Sequence, residues 1–209
     1  ILNEIGKDTL VIKENNLSDA DILNKILQLK CDIAFSIYFG YILKREIINI
    51  FPQGIINVHP AFLPFNRGSA PNVFSIIDNT PAGATIHYID EGIDTGKIII
   101  QKKLKVKSID TGKSLYLRLE KLCENLFVKI YPCINAGKVK TKERAKIKGT
   151  FHNHRELKML DEINMDKIYK AEDLINLIRA RTFSPHSSAF FFDKYEKKVF
   201  VKIKLSYEK

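Results

Sequence analysis

In the run Gly54-Ile55-Ile56-Asn57-Val58-His59-Pro60, β-branched apolar residues stand between a glycine and a proline. Such a run reads as a short strand buried in a sheet. Side chains alternate along a strand, so Asn57 and His59 project from the same face. Two polar groups therefore stand together near the C-terminal end of an otherwise apolar strand. In open α/β sheets, ligands bind beyond that end.

The flanking elements alternate in type. Residues 8–12 read as a first strand, and Ser18, Asp19 and Asp21 offer a cap for a helix carrying Ile22, Leu23, Ile26 and Leu27. Residues 32–39 are nearly continuous and apolar, as expected of a strand covered on both faces of a parallel sheet. A short helix over 44–50 follows, then a loop punctuated by prolines over 60–71, a helix near 72–77, and strands at 84–90 and 97–105. Thr111 precedes a long helix whose Leu115, Leu119, Leu122, Leu126 and Ile130 recur at helical spacing. The alternation predicts an α/β fold with a Rossmann-like, mostly parallel sheet over residues 1–149. Residues 150–209 change character: a helix around 171–180 and a hairpin of 188–192 with 198–205 predict a small α+β appendage.

Composition narrows the function classes. A formal net charge of +10 makes the surface attractive to phosphates, carboxylates or nucleic acid without choosing among them. The 3 cysteines, Cys31, Cys123 and Cys133, are odd in number and widely spaced, which argues against a disulfide framework or a zinc site. They read as reduced, mostly buried thiols. No stretch approaches the roughly 18 unbroken apolar residues of a membrane helix, and the N-terminus lacks a signal pattern. A cytoplasmic protein is the expectation.

An amide can donate a hydrogen bond to a developing oxyanion, and an imidazolium can do so with added charge. The pair Asn57 and His59 therefore suits acyl transfer. Asp94 sits in a turn between Gly92 and Gly96, where a carboxylate beside His59 would favour the protonated ring. Taken singly, a strand-end histidine is often structural, and an aspartate between glycines often only closes a turn.

The ordered text Asn57-Val58-His59-Pro60-Ala61-Phe62-Leu63-Pro64, then Arg67-Gly68-Ser69-Ala70-Pro71, then Asp90-Glu91-Gly92-Ile93-Asp94-Thr95-Gly96 resembles the folate-dependent formyltransferase family. Its members carry an Asn-x-His-Pro-x-Leu-Leu-Pro segment and a later Asp in a Gly-x-Asp-x-Gly turn. Ala61 and Phe62 depart from the residues common there. The resemblance implies 10-formyltetrahydrofolate as formyl donor. It also implies that Asn57 and His59 polarise the formyl carbonyl, while Asp94 holds His59 charged and assists proton removal from the attacking amine. It further implies a folate pocket at Tyr41, Ile42 and Leu43 together with Ile89, Asp90 and Ile93, although residues 41–43 are equally compatible with a plain strand end. Family members carry a strand, helix and strand ahead of the point where this sequence starts, so the first βαβ unit is expected to be absent.

Within the family, the segment around Arg67 and the run Leu177-Ile178-Arg179-Ala180-Arg181 resemble the branch acting on aminoacyl-tRNA or nucleotide-linked amino sugars. Arg179 and Arg181 read equally well as solvated charges or as contacts to an anionic substrate. The tRNA enzymes carry a further barrel for which residues 150–209 are too few. The resemblance thus implies a sugar N-formyltransferase serving surface polysaccharide (lipopolysaccharide O-antigen) synthesis, taking a dTDP-linked 3- or 4-amino-4,6-dideoxyhexose and acting as a homodimer. Alternatives are a methionyl-tRNA formyltransferase, an idle nucleotide-sugar or RNA-binding module, and a hydrolase releasing formate. The basic stretch over 138–148 lacks aromatics and reads as a solvated edge more than a nucleic-acid contact. His152 and His154 lack a third ligand for a metal. Phe190, Phe191 and Phe192 read as core and interface.

Overall fold

Asp19 opens the first helix, α1 (Ala20–Gln28), by accepting hydrogen bonds from the N–H groups of Asp21 and Ile22, the role expected of an N-cap carboxylate. The computed structural model describes residues 9, 11–13, 17, 19–143, 145, 147–185 and 188–208. Of the strand expected over 8–12, Asp8 and Leu10 lie outside the described residues, and residues 9, 11 and 12 are not in a strand.

The chain continues through β1 (Ala34–Ile37), α2 (Arg45–Ile48), β2 (Ile55–His59), β3 (Arg67–Gly68), α3 (Pro71–Ile77), β4 (Ala82–Tyr88), β5 (Ile98–Leu104) and the long α4 (Gly112–Asn135). Proline at the first position of α3 costs no hydrogen bond there. Thr111 and Ser114 close a reciprocal capping box at the start of α4. Then follow β6 (Phe151–His152), α5 (His154–Met159), α6 (Ala171–Arg181), β7 (Phe190–Phe192) and β8 (Lys198–Phe200).

The central sheet has the order β1-β2-β4-β5. The α/β class holds, but the sheet is mixed where a mostly parallel one was expected: β1 pairs parallel with β2, while β2–β4 and β4–β5 are antiparallel. For β4–β5 the cause is local. The turn around Gly92 and Gly96 returns the chain directly, and two strands joined by a short turn can only run antiparallel. The expected doubly covered strand over 32–39 is also corrected. β1 is four residues long, half-buried throughout, and among the described residues stands at the sheet edge. Tyr38, at φ +53°, ends it. A cavity of about 940 Å³ opens against this strand, lined by Phe35, Ile37, Leu43, Phe51 and Tyr131.

One core cluster lies between the sheet and α4, where Ile56, Val58, Ala84 and Ile86 meet Cys123, Leu126 and Phe127. A second joins Val73, Ile76, Leu115 and Leu119 to Ala180 of α6, so the helix after Gly149 packs on α3 and α4. Of the thiols expected to be buried, only Cys123 is; Cys31 and Cys133 are exposed. They sit just beyond the end of α1 and on the outer face of α4, away from either core. The basic stretch attaches to β5 through an antiparallel bridge of Ile98 with Lys142; its Arg144 and Lys146 lie outside the described residues. Among the described residues, no helix is long and apolar enough to cross a membrane.

Candidate active site

Strand β2 places Asn57 and His59 on the face turned away from the α4 core, and both reach Asp94. His59 Nε2 lies 3.4 Å from Asp94 Oδ2, and Asn57 Nδ2 donates to Asp94 Oδ1 at 3.3 Å. The side chains of His59 and Asp94 are 8% and 11% exposed. Asp94 itself adopts φ +53°, a left-handed conformation that aspartate tolerates better than most residues. Gly96 makes the turn possible: a Cβ there would sit 1.9 Å from the Tyr88 carbonyl oxygen.

A second strand, β4, contributes a residue that sequence reasoning missed. In the β2–β4 pairing, His87 stands opposite Asn57 and Thr85 opposite His59. His87 is buried; its Nδ1 donates to Tyr88 O at 2.8 Å, leaving Nε2 to accept from Asn57 Nδ2 at 3.3 Å. The two hydrogens of the Asn57 amide are thereby directed at His87 and Asp94. The signal was present, since Thr85 and His87 lie two apart in an apolar strand, the same spacing that singled out Asn57 and His59. Thr85 accepts from Leu63 N–H and donates to Ala61 O, tying down the loop after His59. Buried Asn66 holds that loop from the other side through Ser75, Thr80 and Thr150.

Asp94 stays ionised. Burial works to raise its carboxyl, but His59 and the Gly68 N–H hold it well below the usual carboxylate range. Gly68 N–H donates to Asp94 Oδ2 at 2.8 Å. His59 departs from the expectation of a charged ring. Burial pushes its pKa below the ordinary 6.5, outweighing the opposite pull of Asp94. Its Nε2 faces two acceptors, Asp94 Oδ2 and Asn66 O at 3.4 Å, so the neutral ring carries its hydrogen on Nε2. The resting site therefore holds one carboxylate, a neutral N–H donor and an oriented amide. That arrangement can stabilise negative charge on a carbonyl oxygen and accept a proton.

Residues 4–131 match the formyl transferase family, and residues 156–207 match the N-formyltransferase dimerization C-terminal domain. The chain belongs to the formyl transferase family. A relative from Mycobacterium tuberculosis, a dTDP-4-amino-4,6-dideoxyglucose formyltransferase, is 32% identical over 86% of this chain and 81% of its own. The crystal structure of a 4-N formyltransferase from Francisella tularensis superposes with a TM-score of 0.82 at 34% identity, covering 88% of this chain and 75% of that one. An N-formyltransferase from Helicobacter canadensis, in complex with folinic acid and dTDP-3-aminofucose, gives a TM-score of 0.64 at 29% identity over 71% of this chain and 54% of that one.

The remaining expected residues of this formyltransferase divide. Tyr41 and Ile42 are exposed, Ile42 to 72%. Leu43 lines the cavity beside β1. Ile89 donates its N–H to Ile55 O at 2.8 Å, and Asp90 accepts from Gly92 N–H and, in a short bond, from Thr95 Oγ1. Ile93 is partly exposed and offers its carbonyl to Arg67 at 3.5 Å. The ion pair Arg45–Glu91 at 3.2 Å brings the segment after β1 beside the 89–94 turn. Arg179 and Arg181 are engaged within the fold: Arg179 donates to Lys107 O and Asp110 O, and Arg181 pairs with Asp161 at 2.5 Å.

Proposed function

We propose that the enzyme transfers the formyl group of 10-formyltetrahydrofolate to the 4-amino group of a dTDP-linked 4,6-dideoxy amino sugar. The observation that carries this reading is likeness along most of the chain to two proteins, one named for dTDP-4-amino-4,6-dideoxyglucose and the other as a 4-N formyltransferase. The residues present fit a folate. Exposed Tyr41, Ile42 and Ile93 offer apolar surface for a flat ring, and the turn over residues 89–94, which Arg45 reaches through Glu91, offers backbone polar groups. The bound folate supplies a formyl group activated on nitrogen.

In this reading Asn57 Nδ2 and the His59 Nε2–H donate to the formyl oxygen as the amine adds to the carbon and negative charge gathers on oxygen. Asp94 takes the proton that the amine loses, directly or through water. The bond from formyl carbon to folate nitrogen then breaks, and that nitrogen takes up a proton. Arg67 is suited to the acceptor's phosphates: its Nε is buried without a hydrogen-bond partner among the described residues, and its guanidinium lies 5.8 Å over the Phe151 ring. We also propose residues 1–149 as the catalytic domain and residues 150–209 as a subdomain joining two copies, supported by the exposed Phe192, Tyr195 and Phe200 around the β7–β8 hairpin. Phe200→Asp should then sediment as a monomer where the unaltered protein sediments as a dimer; a dimer in both removes this assignment.

The test is incubation with 10-formyltetrahydrofolate and a panel of amino-sugar nucleotides, read by mass spectrometry for the gain of one formyl group, with methionyl-tRNA in parallel. Formylation of a dTDP-4-amino sugar faster than any other acceptor is the expected result. Faster formylation of methionyl-tRNA, or formate release without an acceptor, overturns it.

A pH dependence follows from the charges. The attacking amine must be neutral, and Asp94 is ionised throughout the mildly acidic range. Because burial lowers the His59 pKa below the ordinary 6.5, its ring undergoes no further change of charge above neutrality. The ratio kcat/KM should rise with pH as the acceptor amine deprotonates and then level off. A falling alkaline limb that disappears in a His59 variant would show that the ring works in its charged form.

A further inference from the structure

We infer that His152, which does not touch the reacting groups, is a positioning residue: it clamps β6 against β3, and β3 presents the Gly68 N–H that aims the Asp94 carboxylate. The inference rests on the reading of Asp94 as a catalytic group.

His152 is held on three sides. Its ring stacks on Phe74 of α3 with centroids 3.7 Å apart and planes 5° from parallel. Nδ1 hydrogen-bonds Glu156 Oε2 of α5 at 2.9 Å. Nε2 lies 2.9 Å from Asp78 Oδ2 at the end of α3. That approach is an ion pair by distance, but its angle falls outside hydrogen-bond geometry. The side chain is 13% exposed. One ring thus ties β6 to the helix before it in space and the helix after it in sequence.

The strand it anchors reaches the site. β6 runs parallel to β3 with Gly68 paired to His152. Ser69 N–H donates to His152 O at 2.8 Å, and Arg67 N–H donates to Thr150 O at 3.1 Å. Two strands of two residues each are too short to hold register alone, so the anchoring must come from side chains. The backbones are in close contact: a Cβ on Gly68 would fall 2.3 Å from the His152 carbonyl oxygen, and φ +84° at Gly68 itself favours glycine. A displacement of β6 therefore carries Gly68 with it. The Gly68 N–H to Asp94 bond, at 2.8 Å, is shorter than the approaches of Asn57 and His59 to the same carboxylate at 3.3 and 3.4 Å. The orientation of Asp94 depends most on the amide that His152 stabilises.

The experiment is His152→Ala in the full chain, with kcat and both KM values measured below its melting temperature, alone and in an Asp94→Ala background. Misplacing a reacting group by a fraction of an ångström is costly. The expected result is a kcat lower by about tenfold, with KM values changed by less than about twofold. No further loss should appear when Asp94 is already alanine, because two changes acting through one group are not additive. A loss of the same size in both backgrounds, or an unchanged kcat, overturns the inference.

NMR titration of the His59 ring gives a readout that needs no substrate. Burial and His87 oppose its proton, while Asp94, more than the Asn66 carbonyl, favours it, so releasing Asp94 should move the His59 midpoint downward. If His152→Ala does not fold, Asp78→Ala combined with Glu156→Ala removes two of the three anchors and is read the same way. An unmoved midpoint in the folded variant overturns the inference. An enzyme that formylates no acceptor defeats the proposed function instead, and leaves the midpoint as the separate test of His152.

Discussion

Asp94→Ala is expected to lower kcat at least about a hundredfold, the scale of losing a general base in a water-poor site. The carboxylate is the one ionised group of the centre and is aimed by the Gly68 N–H, the Asn57 amide and His59. Its removal takes away the proton acceptor and leaves three donors without their common partner. His59→Ala should cost a comparable factor, because the Nε2–H donor to the formyl oxygen goes with it. Asp94→Asn separates base from scaffold: it keeps an oxygen for Gly68 yet cannot accept a proton. Steady-state kinetics on variants shown to be folded by circular dichroism provide the measurement. Near-normal turnover in Asp94→Asn would remove the proton-transfer role and leave only the orienting one.

Asn57→Ala is expected to lower kcat by about two orders of magnitude or more, in line with loss of a donor to a developing oxyanion. The amide is held between His87 Nε2 and Asp94 Oδ1, both at 3.3 Å. Bonds of that length can be exchanged for a bond to substrate without a large reorganisation. Because the interaction strengthens only as charge develops on oxygen, KM should change little while kcat falls. Rise of KM with kcat preserved would place Asn57 in ground-state binding. His87→Ala, which removes only the neighbour that orients the amide, should show a smaller loss in the same direction.

Much of this site was legible before any coordinates. Period-two alternation along Gly54-Ile55-Ile56-Asn57-Val58-His59 put the amide and the imidazole on one face, and that is where they stand. The helices after Asp19 and Thr111 start where their capping residues lie, since those signals act within one turn of chain. His87 escaped notice because its role depends on which strand lies beside β2, and a β4 sequence does not name its neighbour.

By itself, then, the sequence determined the local elements, the α/β class, the face shared by Asn57 and His59, and the family motif, all of which depend on residues near one another in the chain. Tertiary structure alone decided the rest. The sheet order β1-β2-β4-β5 is mixed where a mostly parallel one was expected because β4 lies antiparallel beside β2, a pairing between strands distant in the chain. The neutral state of His59 follows from burial outweighing one nearby carboxylate, and burial is a property of everything packed around the ring. The strand whose Gly68 amide meets Asp94 pairs with β6, from beyond residue 149; long-range pairing of that kind is set by packing, which no local pattern encodes.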